Sequence, residues 1–171
     1  MKRLWAPWRM AYIDGIRESL ECGDTEGEDK CFLCTAAETE DDRGCLVFLR
    51  RKRVFAVLNR YPYNNGHTLI VPLAHKSDFR AMDQEEMLEL MEMTRDVMDL
   101  LGTVMGPEGF NVGLNFGRCG GAGCPGHLHL HIVPRWGGDT NFMPVLSDTK
   151  IIHQALEDLY DRLTAELEKA D

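Results

Sequence analysis

No run of this 171-residue chain approaches the roughly 20 consecutive apolar residues that a membrane-spanning helix needs. Met1-Lys2-Arg3-Leu4-Trp5 leads into no signal-like apolar stretch, so a cytoplasmic protein is expected. Positive charge is scarce: 19 Lys and Arg face 28 Asp and Glu, for a formal net charge of −9. Neither nucleic acid nor a membrane is therefore expected as a partner, and a small phosphorylated ligand must be held by local donors. Repeats, low-complexity tracts and linkers are missing, which argues for one domain over 1–171. Six cysteines without a secretion signal read as metal ligands or thiols rather than a disulfide framework.

What the chain does have is Gly126-His127-Leu128-His129-Leu130-His131-Ile132-Val133-Pro134. Side chains alternate faces along a strand, so a strand here projects three imidazoles from one face and packs Leu128, Leu130 and Ile132 beneath the other. Imidazole binds metal, moves protons near neutral pH, or attacks as a nucleophile. Upstream, Gly113-Leu114-Asn115-Phe116-Gly117-Arg118-Cys119-Gly120-Gly121-Ala122-Gly123 is dense in glycine. Its backbone N–H groups can approach an anion closely. Histidines facing such a loop suggest chemistry on a phosphate.

Around this centre the patterning predicts strands at 45–49, 54–58, 67–72 and 110–116, with the histidine strand fifth. Arg50-Arg51-Lys52-Arg53 reads as a solvated hairpin tip. A helix capped by Asp83 runs to about Leu101, striped by Met87, Leu90, Met91, Val97, Met98 and Leu101 and ended by Gly102 and Pro107. A second runs from about Thr149 to Glu168, with Ile152, Leu156, Leu159, Leu163 and Leu167 inward and His153 outward. Residues 1–30 give an aromatic opening suited to packing on the body or on a second subunit, then an acidic loop. Hairpin-length connections argue for an α+β fold around an antiparallel sheet. Cys31-Phe32-Leu33-Cys34 has three readings: a redox pair, two plain thiols, or half of a tetrahedral zinc site. Cys119 and Cys124 can be read as thiols, a labile disulfide or an accidental metal pair, and are taken as plain thiols; Trp136 is a packing residue or one that stacks on a base or a partner surface.

His127-Leu-His129-Leu-His131-Ile-Val resembles the signature of the histidine triad family at every position. Asn59…Pro62, then His67-Thr-Leu-Ile-Val-Pro72 closed by His75, resembles a second family segment. The opening and Arg135-Trp136-Gly137-Gly138-Asp139-Thr140-Asn141-Phe142-Met143-Pro144 are similar to the bacterial diadenosine-tetraphosphate phosphorylase-like branch. The resemblance covers about 31–144. It implies a five-stranded antiparallel sheet with flanking helices, paired two-fold into a dimer or built into a higher homo-oligomer.

The resemblance implies a nucleotidyltransferase acting on dinucleoside polyphosphates through a nucleotidyl-histidine. His129 is the expected nucleophile, and His131 lies near the phosphate oxygens. Asn115 and the backbone of Gly121, Ala122, Gly123 and Cys124 hold those oxygens, and Asn59 faces the ribose. Asn59 also has a turn-capping reading, and His67 is either a phosphate-side residue or a structural one. Family relatives with a Cys-x-x-Cys suggest zinc held by Cys31, Cys34, His75 and His127. Magnesium is required by no residue and could enter only with the substrate. Gly123 stands where many family hydrolases carry Gln, consistent with phosphate rather than water as acceptor. A hydrolase of dinucleoside polyphosphates or nucleoside phosphoramidates is the alternative; a zinc-stabilised nucleotide-binding protein without turnover is another.

Overall fold

A computed structural model of the chain describes residues 31–140, 152 and 154–169. The aromatic opening, His153 and residues 141–144 lie outside the described residues.

Five strands form one sheet: β1 Val47–Arg50, β2 Val54–Leu58, β3 Thr68–Pro72, β4 Gly109–Leu114 and β5 Leu130–Arg135. Their spatial order is β1-β2-β3-β5-β4, and every pairing is antiparallel, as expected. β2 and β3 are buried along their whole length, which suits their runs of branched and aromatic residues. Two short helices absent from the sequence reading, α1 Phe32–Glu38 and α2 Asp42–Cys45, precede β1. Cys45 thus ends a helix instead of opening a strand. Leu46 follows in the left-handed region at φ 61°, so β1 begins only at Val47.

α3, Gln84–Met105, packs across β2, β3 and β5 and against α4, Leu156–Leu167. Its start is set by a capping box in which Asp83 accepts from the Glu86 N–H and Glu86 accepts from the Asp83 N–H. Its end differs from expectation. Gly102 lies inside the helix, and Gly106 ends it at φ 60°, donating its N–H to the Gly102 carbonyl. The inward face is Glu86, Leu90, Met93, Thr94, Val97 and Leu101. Met87 and Met91 of the expected stripe are exposed, because the buried line runs one position to the side of them. α4 begins at Leu156, seven residues later than predicted, and buries Leu159, Tyr160 and Leu163.

The basic hairpin tip is not merely solvated. Arg50 donates to the carbonyls of Ala36 and Ala37 at the end of α1 and pairs with Asp42. Arg51 pairs with Asp96, and Arg53 with Glu85. These contacts tie the tip to α1, α2 and α3.

The histidine segment is also corrected. β5 starts at Leu130, so His127, Leu128 and His129 lead into the strand. Proline has no N–H, so Pro72 cannot extend the β3–β5 ladder. Leu128 donates instead to the Lys76 carbonyl at 2.6 Å. Among the described residues, no helix is long and apolar enough to cross a membrane.

Candidate active site and metal centre

All three histidines of the segment are buried, at 0%, 6% and 9% exposure for His127, His129 and His131. Hydrogen-bond logic assigns a tautomer to each. A carbonyl only accepts, so His129 donates Nδ1–H to the His127 carbonyl at 2.7 Å. The Nε2 of His129 then carries the lone pair. His127 donates Nε2–H to the Pro72 carbonyl at 2.8 Å, which leaves its Nδ1 unprotonated.

His67 belongs to the same constellation. The Tyr63 backbone N–H donates to His67 Nδ1 at 3.1 Å, so His67 is protonated at Nε2. That Nε2 donates to His131 Nδ1 at 2.9 Å, which makes His131 an Nε2–H donor. Burial lowers the pKa of His67 to about 3 and that of His131 to about 4, with nearby imidazoles adding to the effect. The His129 pKa is also lowered by burial, against the supporting bond to His127. Neutral imidazoles result, and a neutral His129 keeps its lone pair.

Asn115 follows β4, and its Nδ2 lies 3.4 Å from the Gly121 carbonyl and 3.3 Å from His131 Nε2. Gly121 fixes the amide with nitrogen inward. Asn115 Nδ2 and His131 Nε2 both carry hydrogens, so they cannot bond one another and are both open to an anionic oxygen. The glycine loop is spent differently from expectation. Its N–H groups at Gly121 and Ala122 already donate to the carbonyls of Arg118 and Gly117. Gly121 takes φ 88°, which favours glycine. The Gly123 N–H has no hydrogen-bond partner among the described residues. A Cβ at Gly123 would meet nothing within 4 Å. Cys124 is buried beside the loop and disulfide-bonded, which corrects the plain-thiol reading; Cys119 is a free, exposed thiol.

Asn59 serves its turn, its Oδ1 accepting from the Tyr61 N–H at 2.9 Å, while its Nδ2 lies 3.3 Å from His67 Nδ1. Both readings of this residue are therefore compatible with its position. Trp136 donates Nε1–H to the Gly106 carbonyl at the end of α3, which is a packing role. Sequence reasoning missed Tyr63, whose ring stacks near His131 with centroids 5.8 Å apart. Nothing in the local pattern distinguished it from any other turn aromatic.

The second cluster is Cys31, Cys34, His75 and His127, whose ligand atoms all lie within 4.8 Å of one another. Cys31 Sγ and Cys34 Sγ are 3.5 and 3.4 Å from His127 Nδ1, and Cys34 Sγ is 3.1 Å from His75 Nδ1. Zinc with bonds of about 2.3 Å to sulfur and 2.0 Å to nitrogen sets a tetrahedral S–N edge of about 3.5 Å. The donor set and the free Nδ1 of His127 suit closed tetrahedral zinc, brought together from α1, the loop after β3 and the histidine segment.

The HIT domain family model matches residues 41–138. The chain belongs to the HIT domain family. This HIT-domain enzyme is 39% identical over 166 residues to the AP-4-A phosphorylase of Mycobacterium tuberculosis, covering 97% of this chain and 84% of that protein. Its fold is similar to a zinc-bound histidine triad family protein from Mycobacterium smegmatis, with TM-score 0.65 and 21% identity over 83% of this chain and 98% of that one. It is also similar to the Plasmodium falciparum diadenosine triphosphate hydrolase, with TM-score 0.62 and 20% identity over 91% of this chain and 95% of that one.

Proposed function

We propose that this enzyme cleaves dinucleoside polyphosphates by phosphorolysis, with diadenosine tetraphosphate as the type substrate. The reading is carried by the 2.7 Å bond from His129 Nδ1 to the His127 carbonyl, which aims an unprotonated Nε2 outward. That Nε2 attacks the α-phosphorus and forms a P–N bond. The P–O bond to the rest of the substrate breaks, and ATP leaves. An oxygen of inorganic phosphate then attacks the same phosphorus, breaks the P–N bond and carries AMP away as ADP. Covalent catalysis divides one hard displacement into two easier ones.

His131 Nε2–H, Asn115 Nδ2 and the Gly123 N–H stabilise the oxygens as charge builds on them. His67 holds His131 in the donating tautomer, and Asn59 faces the ribose. Gly121 and Ala122 shape the loop, and Cys124 anchors its end. The open space at Gly123 leaves room for the phosphate acceptor, and the 39% identity to an AP-4-A phosphorylase supports the same choice.

Zinc on Cys31, Cys34, His75 and His127 would act structurally, because a closed site offers no position for substrate. Magnesium would enter with the phosphates of the substrate. Among the described residues β4 is an edge strand, and with Val112 43% exposed it supports a two-fold dimer of otherwise single-domain chains. A cytoplasmic location fits an enzyme whose substrates are nucleotides.

The test is incubation with diadenosine tetraphosphate, with and without phosphate, followed by resolution of the nucleotides. ATP and ADP formed only with phosphate are expected. AMP released without phosphate would transfer the assignment to a hydrolase, and no turnover would favour a binding protein.

A further inference from the structure

Phe79 and Phe116 are 45% and 39% exposed, although large aromatic rings lose free energy in water. Their rings meet edge to face, with centroids 5.2 Å apart. The two come from different parts of the chain. Phe79 opens a short 3-10 turn, Phe79–Ala81, four residues after His75. Phe116 directly follows Asn115, whose amide touches His131. The glycine loop folds back through the Ala122 N–H to the Gly117 carbonyl, which roots Phe116 at the base of the loop.

Sheet order fixes where this pair lies. Asn59 follows β2, whereas Phe116 lies just past β4, with β3 and β5 between them. Three strand spacings of about 4.8 Å separate the two flanks by roughly 14 Å across the sheet. Asn59 lies just beyond the row of Leu58, Thr68, Ile132 and Val112, and Phe116 lies beyond the row of Ile70, Leu130 and Leu114 at the other end of the strands. That adds roughly 17 Å along the strands, with the histidine segment on the diagonal between them. A dinucleoside polyphosphate reacting at His129 has one nucleoside on each side of the attacked phosphorus. The Asn59 flank takes the transferred nucleotide, so the departing nucleoside projects toward the glycine loop. There the chain offers an aromatic pair at the root of that loop.

We propose that Phe79 and Phe116 form a stacking platform for the base of the departing nucleoside polyphosphate. The inference rests on the nucleotide reading of the His129 site. Each ring braces the other, and both retain exposed surface. Every nucleobase has a π-face, so the platform detects that a second base is present with little regard to which base it is.

The test is calorimetric binding to the His129→Gly variant, which binds without turnover. Diadenosine tetraphosphate should bind about tenfold or more tighter than adenosine 5′-tetraphosphate, which lacks the second base. Adding Phe116→Ala or Phe79→Ala should remove that preference and leave adenosine tetraphosphate binding unchanged. Phe116→Trp should keep it. Equal binding of the two ligands in the parent variant would overturn the platform alone. Equal weakening of both by Phe116→Ala would do the same, placing that ring in the support of the cradle. Loss of assembly mass by light scattering with the preference retained would assign the pair to a contact between copies and overturn the platform. Binding of neither ligand would overturn the nucleotide reading and the platform with it.

Discussion

Acid should unfold this protein by a route that runs through two touching imidazoles. An unfolded histidine takes up its proton near 6.5. In the fold His67 resists protonation until about 3 and His131 until about 4, chiefly because both are buried. Between those limits the unfolded chain binds more protons than the native one, so stability falls as pH falls and is fully present above about 6.5. Each histidine contributes a slope of about 1.4 kcal/mol per pH unit. Lowering the pH to 4.5 therefore removes about 5 kcal/mol through the two histidines together. That is a large part of the roughly 5–15 kcal/mol that holds a domain folded. Urea unfolding at pH steps from 8 to 4.5 measures the slope. The comparison is with His67→Gln, which keeps a donor for His131 but cannot titrate. Zinc release and carboxylate protonation affect both proteins alike, so they cancel in the difference. The variant should show a shallower dependence by about 1.4 kcal/mol per pH unit between 6 and 4.5. Identical slopes would refute the claim that His67 is held neutral by burial.

His129→Gly should lower turnover by at least about a thousandfold while nucleotide binding persists, since removing a covalent nucleophile costs chemistry before affinity; steady-state rates and acid-stable radiolabelling would measure this. Cys34→Ser should lose bound metal by elemental analysis. In the parent protein, free zinc at a thousandfold excess over its dissociation constant should add about 4 kcal/mol, which is about 8–16 °C in Tm, and Cys34→Ser should forfeit most of that shift. Ile132→Ala, at a site with 0% exposure, should cost about 2–5 kcal/mol in denaturant unfolding. Asn115→Ala should slow formation of the labelled histidine more than it weakens binding, because its amide meets charge that grows during the reaction.

The sheet could be read from the chain because its cues are local. The runs at 54–58 and 67–72 are apolar and branched, and turn residues bound them. The α3 start was legible in Asp83 and Glu86 for the same reason. Its end was not, because Gly102 costs about 1 kcal/mol in a helix and packing on either side of it outweighs that cost. The methionine stripe misled because Met87, Met91 and Met98 sit beside the buried line, while Glu86 and Thr94, polar by composition, lie on it. Glu86 is tolerated there through its ion pair with Lys76.

At the site, the four zinc-type ligands came together as the family resemblance implied, although no local motif joins Cys31 to His127. The loop donors were the weaker part of the reading. Glycine content shows that a backbone can approach an anion, but not which N–H groups the loop consumes in holding its own turn. The His67–His131 bond was equally invisible, since it depends on the register of β3 against β5.

The spread of the sulfur and imidazole ligands has a kinetic consequence. Cys34 and His75 are 41 residues apart, and Cys31 and His127 are 96 apart. No local segment can pre-form the centre, and its parts meet only after β3 and β5 have paired. Metal should therefore add little to the rate of folding and act chiefly by slowing unfolding. On the zinc assignment proposed above, a cell starved of the metal would still make native chains at the usual speed, and would lose them sooner.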